Sequence, residues 1–162
     1  MKRTIFLQDE NAVWLKGNLH SHSTNSDGRL TPEEMKEAYK HHGYDFLVVS
    51  DHDRYSDTRH MTDDTYTMGQ GIELYANAPT EKDIHVQLLW DSSFNEFEHL
   101  QYIHLPERTA KATDKFLYEM KEKGVYIMLN HPHWSILNSS EIGEENPYDA
   151  VELINYETEW LE

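Results

Sequence analysis

The chain contains no cysteine. Disulfides and thiolate metal sites are excluded, so any metal must be held by nitrogen and oxygen ligands. A cytoplasmic location is the default expectation for such a chain. No apolar run approaches the roughly 18–20 residues that a membrane-spanning helix requires. The N-terminal stretch MKRTIFLQDENAVW has two basic residues near its start, but its apolar run of about three residues is too short for a secretory signal. Basic charge is scarce, with 14 Lys and Arg against 30 Asp and Glu and a net charge of −16. That sign repels a nucleic-acid backbone, so neither long nucleic acids nor a membrane surface is an expected partner. It leaves room for a nucleotide where metal cations supply the positive field. Repeats, low-complexity segments and linkers are also lacking. Residues 1–162 therefore read as one domain, long enough to bury a core.

Histidine is what the chain has in abundance, with 11 in 162 residues, spread along its length rather than run together at an end. The elements around them alternate. Residues 12–19 read as a first strand. TPEEMKEAYKHHG reads as a helix, with Thr31 and Glu34 as a capping box, Pro32 at its first position and Gly43 at its exit. DFLVVS (45–50) reads as a buried strand and 53–68 as a loop. GIELYA (71–76) and IHVQLLW (84–90) read as a hairpin. A second helix is expected from Pro106 to Gly124, then a strand over 125–130 and a last strand, AVELINY, over 150–156. Strand, helix and strand in this order predict a largely parallel sheet or barrel.

In such folds chemistry collects at the carboxyl ends of the strands. His20 and His22 follow the first strand, with Asp27 in the Ser-Asp-Gly beyond them. His52, flanked by Asp51 and Asp53, follows the second. Glu73 lies in the third, and the hairpin brings His85 beside it. His131 and His133 follow the strand at 125–130. Neutral imidazoles and carboxylates suit zinc, manganese or iron. Glu73 is the carboxylate expected to bridge two ions. Two or three divalent ions can turn water into hydroxide at neutral pH and neutralise phosphoryl oxygens, which points to phosphate ester hydrolysis.

In that order, HSHSTNSDG, SDHD, the Glu73 of GIEL, the His85 of IHVQLL and NHPHW resemble the PHP (polymerase and histidinol phosphatase) family of metal-dependent phosphoesterases. The resemblance implies an α/β fold, a distorted (β/α)7-type barrel with metal ions at the carboxyl ends of its strands. Family members include histidinol phosphatases, nucleotide phosphatases and nuclease domains attached to DNA polymerases. Carried over by position, His20, His22 and Glu73 resemble the ligands of one metal, Asp27 and His52 those of a second, and Glu73, His85 and His131 those of a third. His22, Asp27 and Glu73 are the candidate catalytic residues. The family pattern ends in an Asp-x-His on a late strand. None follows AVELINY here, so a barrel incomplete at its C-terminus is expected. A cut before the final ligands is the favoured account. Ligands from another chain, or a natural short form with an impaired site, are the alternatives, and exposed strand edges leave homo-oligomers open.

The expected function is hydrolysis of a small phosphomonoester or nucleotide by metal-activated hydroxide, a phosphatase rather than a nuclease. The competing reading is a catalytically silent metal-binding module with an interaction or regulatory role. Asp51 and Asp53 are expected to orient ligands or cap loops rather than bind metal. Arg54 and Arg59 read as solvated loop residues, Trp134 as core, and His41, His42, His60, His99 and His104 as ordinary surface or core residues.

Overall fold

The computed structural model describes residues 12–142 and 147–155. They form one sheet of six strands in chain order: β1 (Gly17–Asn18), β2 (Phe46–Val49), β3 (Thr67–Asn77), β4 (Asp83–Trp90), β5 (Tyr126–Leu129) and β6 (Ala150–Val151). Two α-helices, α1 (Pro32–His41) and α2 (Ala110–Glu122), and one short 3₁₀ turn at Arg59–Met61 complete it. β1, β2 and β3 are parallel, β4 is antiparallel to both neighbours, and β5 and β6 are parallel again.

The first helix is laid out as its sequence dictates. The Thr31 hydroxyl accepts from Glu34 N–H while the Glu34 carboxylate accepts from Thr31 N–H, Pro32 opens the helix, and Gly43 leaves it at φ 72°. α2 starts later than Pro106 suggested, because Thr109 supplies the capping oxygen to Ala112 N–H.

Alternation along the strands separates core from site. Ile72, Leu74, Ile84, Val86, Leu88, Ile127 and Leu129 join Leu117 and Met120 of α2 in the main core. Burying a side chain such as Leu117 stabilises the fold by roughly 1.5–3 kcal/mol. Leu47 and Val49 of β2 pack with Met35 of α1 in a smaller cluster. The intervening residues Glu73, His85, Gln87 and Asn130 take the other face and are all buried. That face is concave. The Gln87 amide on β4 donates to the Leu19 carbonyl beyond β1 at 2.7 Å, and Asn130 lies 3.4 Å from His20, although β1 and β5 are four places apart in the sheet.

Two expectations are corrected. The sheet is a curled half-barrel, similar to a PHP-like fold, and is of mixed rather than largely parallel direction; among the described residues no pairing joins β6 to β1. Its mixed direction follows from the β3–β4 hairpin, which reverses one strand. The outer strands are also short: β1 holds two residues rather than 12–19, and β6 holds two of those expected over 150–156, with Tyr156 outside the described residues.

Candidate metal centre

Because β4 runs against the other strands, it delivers its N-terminal end where they deliver their C-terminal ends. In the hairpin Tyr75 pairs with His85 and Glu73 with Gln87, so Glu73 and His85 are diagonal neighbours on one face. His20 and His22 arrive from the turn after β1, His52 from the turn after β2, and His131 from the end of β5.

Glu73 is the hub. It is fully buried, and both carboxylate oxygens face imidazoles. Oε1 lies 3.0 Å from His20 Nε2, 3.1 Å from His131 Nε2 and 3.2 Å from His85 Nδ1. Oε2 lies 3.2 Å from His22 Nε2 and 3.0 Å from His52 Nδ1. The Asn130 amide fixes the carboxylate, donating to Oε1 at 2.8 Å and to Gln87 Oε1 at 3.2 Å. Asp27, two-thirds exposed at the mouth, reaches His22 at 3.7 Å and His52 at 3.4 Å.

These groups fit a metal better than they fit one another. His22 Nδ1, His52 Nδ1, both nitrogens of His85, His131 Nδ1 and Glu73 Oε2 are buried without a hydrogen-bond partner. Several of them lie close to an opposite charge but outside hydrogen-bond geometry, as donors aimed at a shared point would. Ligands bound to one ion at roughly 2.0–2.1 Å stand about 3.3 Å apart in a tetrahedron. The separation of His20 Nε2 from His22 Nε2 is 3.1 Å. Four ligand groupings result: His20, His22 and Glu73; His22, Asp27 and His52; His52, Glu73 and His85; and His20, His131 and Glu152. The first is the set expected from sequence. Asp27 and His52 come together as expected, with His22 as a third donor. Glu73 and His85 come together with His52, and His131 reaches the same Glu73 oxygen as His85.

The electrostatics follow. Burial disfavours charge on His20, but hydrogen bonds and charge from Glu152 and Glu73 outweigh it and raise its pKa to about 9. Burial alone would raise Glu73; hydrogen bonds from His131, His20, His22 and His85 instead hold it far below the carboxylate range. Burial lowers His52, with Glu73 opposing, which favours the neutral imidazole a metal needs. The stability that His20 contributes in the metal-free chain is therefore complete below pH 6.5 and is lost as pH rises through about 9. Metal affinity runs the other way, since the ion must displace the His20 proton. Zinc should bind about fiftyfold more tightly at pH 9 than at pH 7, as the deprotonated fraction of His20 rises from about one in a hundred to about one half. Calorimetric titration across that range, corrected for buffer protonation, checks this; an affinity independent of pH would refute it.

Other residues fall as follows. Asp51 binds no imidazole. It is fully buried and accepts from Ser23 N–H, Ser23 Oγ, Ser26 Oγ and Ser56 Oγ at 2.6–2.8 Å, clamping the loop that carries His22 and Asp27. Gly28 closes that loop, where a Cβ would meet the His22 carbonyl oxygen at 2.0 Å. Asp53 accepts from Tyr75 N–H at 2.9 Å. Arg59 is tied to Asp57 and Glu98, and Arg54 donates to the Asn25 carbonyl. His133 is exposed, as are His41, His42, His60, His99 and His104. Trp134 is not core: it is 44% exposed and packs on the ring of His85 at 4.7 Å. Sequence reasoning missed Asn130, Gln87 and Glu152. The alternation of β4 marks Gln87, a polar residue two beyond His85 in an apolar strand, and Glu152 follows its strand as His20 follows β1.

No protein-family model matches the chain. It is 26% identical over 146 residues to the DNA polymerase/3'-5' exonuclease PolX of Bacillus subtilis (strain 168), a match covering 89% of this chain and 24% of that protein. Its fold resembles that of a two-domain protein from Bacteroides vulgatus ATCC 8482 containing a predicted PHP-like metal-dependent phosphoesterase. That superposition has a TM-score of 0.50 and 18% identity, and covers 91% of this chain and 40% of the other. The chain thus spans about a quarter of one relative's length and two-fifths of the other's. In its fold the chain is similar to a protein containing a predicted PHP-like metal-dependent phosphoesterase, the family that its histidine and carboxylate motifs resemble.

Proposed function

We propose that the chain is a metal-dependent phosphoesterase that hydrolyses a small phosphomonoester or nucleotide, acting in the cytoplasm. The observation that carries this reading is Glu73: a fully buried carboxylate with imidazoles from four chain segments around its two oxygens. His20, His22, His52, His85, His131, Asp27 and Glu73 would hold two or three divalent ions of zinc, manganese or iron. Bound there, such ions supply a water nucleophile at neutral pH and positive charge for phosphoryl oxygens.

The protein's own groups do the rest. Glu73 offsets the charge of the site from inside the fold. Asp27, exposed at the mouth, can accept a proton from an attacking water. Tyr75 and Trp134 flank His85 at 4.2 Å and 4.7 Å, giving the mouth aromatic walls that suit an organic group or base. Arg108, 5.4 Å above the Tyr75 ring, is an exposed cation within reach of a phosphate.

Two findings favour other readings. The likeness to a polymerase/exonuclease makes a short oligonucleotide end the competing substrate, while the net charge of −16 argues against a long one. His22 is shared between the Glu73 grouping and the Asp27–His52 grouping. A neutral imidazole has one lone pair, so the two groupings compete for it, and a site that binds fewer ions and is catalytically silent is the other reading. An assay of metal-loaded protein on p-nitrophenyl phosphate, nucleoside monophosphates and a labelled oligonucleotide separates these. Phosphate release from the small monoesters, lost in the Glu73→Gln variant, is the expected result. Full metal loading with no turnover of any of the three would leave the silent module.

A further inference from the structure

Glu152 follows β6 directly, and its side chain is 16% exposed. Both of its carboxylate oxygens lie 3.3 Å from His20 Nδ1. Oε2 also accepts the backbone N–H of His131 at 2.8 Å, and Oε1 accepts the Asn155 amide at 3.2 Å. On the other side of the same ring, His20 Nε2 faces Glu73 at 3.0 Å and His22 Nε2 at 3.1 Å. An imidazole that donates its proton from Nδ1 keeps its lone pair on Nε2. One carboxylate thus decides which nitrogen of His20 can face the metal.

The second contact acts on the backbone. His131 adopts φ 22°, a left-handed conformation that is strained for a residue with a side chain. The bond from its N–H to Glu152 ties that turn to the end of β6, with the His131 ring at Glu73. Glu152 therefore joins the ligand after β1 to the ligand after β5, two segments that no strand pairing connects.

We propose that Glu152 is a positioning residue of the metal centre, holding His20 as the Nδ1–H tautomer and fixing the strained turn that presents His131. The proposal rests on reading the site as a metal centre. A direct ligand role, suggested by the proximity of His20, His131 and Glu152, would require His20 to bind through Nδ1 and withdraw Nε2 from the Glu73 set.

The test uses the full chain, zinc titration against a chromophoric chelator, and nitrogen-15 NMR of the His20 ring in zinc-loaded protein. The expected results are a proton on His20 Nδ1 in the wild type, and zinc binding weakened 10–100-fold in Glu152→Gln. Glu152→Asp, which keeps the charge, should recover part of that loss and serves if the Gln variant does not fold. Wild-type affinity in both variants, or a His20 bound to zinc through Nδ1, overturns the proposal alone. A wild-type chain that takes up no zinc overturns the metal reading and the proposal together.

Discussion

Replacing Glu73 with glutamine is expected to abolish zinc binding in the micromolar range while leaving a folded chain. Glutamine fills the same volume but brings no charge, and one of the two positions facing the imidazoles becomes an amide that donates rather than accepts. The five imidazoles that surround Glu73 would then have no buried anion to offset a divalent ion. Removal of an outer partner of a metal ligand already costs 10–100-fold in affinity, and loss of the shared carboxylate must cost more. Glu73→Ala goes further. In the metal-free chain near neutral pH His20 is protonated and shares its charge between Glu152 and that carboxylate. Wholly breaking a buried pair costs about 3–5 kcal/mol. With Glu152 still on His20 the loss is a part of that, so for a domain of this size the melting temperature should fall by up to roughly 20 °C. Chelator-competition titration and thermal melts of the two variants check both effects. Wild-type zinc affinity in either variant would contradict the placement of Glu73 at the centre of the site.

The second large effect is expected at a residue that binds no metal in this account. Asp51→Ala should destabilise the chain by roughly 3–5 kcal/mol, since hydrogen bonds to a charged group contribute about 1.5–3 kcal/mol each and are not additive. Its carboxylate holds Ser23 through both backbone and hydroxyl, and Ser26 and Ser56 through their hydroxyls. Ser23 is fully buried, so its N–H would have no water to turn to. His22 and Asp27 sit next to Ser23 and Ser26, so the loop would lose its grip on two candidate ligands at once. Asp51→Asn should fall between, because an amide can accept only two of the four bonds. Denaturant unfolding measures the stability loss. A change below about 1 kcal/mol in Asp51→Ala would show that the loop is held by something else.

Much of this was legible in the sequence where local chemistry decides. The capping box at Thr31 and Glu34 and the exit at Gly43 fix α1. The polar ends of the apolar strands fixed which histidines could meet, and the hairpin placed His85 beside Glu73. What sequence could not supply depends on curvature. Only the curl of the sheet brings Glu152 to His20 and Gln87 to Leu19, and no local period encodes a contact across four strands. Trp134 was misread for a related reason. Its size suggests core, but it follows the turn at His131, where it covers the mouth of the site instead. The length of the outer strands was overread, since apolar residues such as Val13, Leu153 and Ile154 are exposed rather than paired in the sheet.

The most direct test of the central claim is the metal content of the wild-type chain, measured by elemental mass spectrometry on protein purified without added metal or chelator. The account predicts two or three divalent ions per chain. Less than one ion per chain, after incubation with zinc and manganese as well as before it, would contradict it.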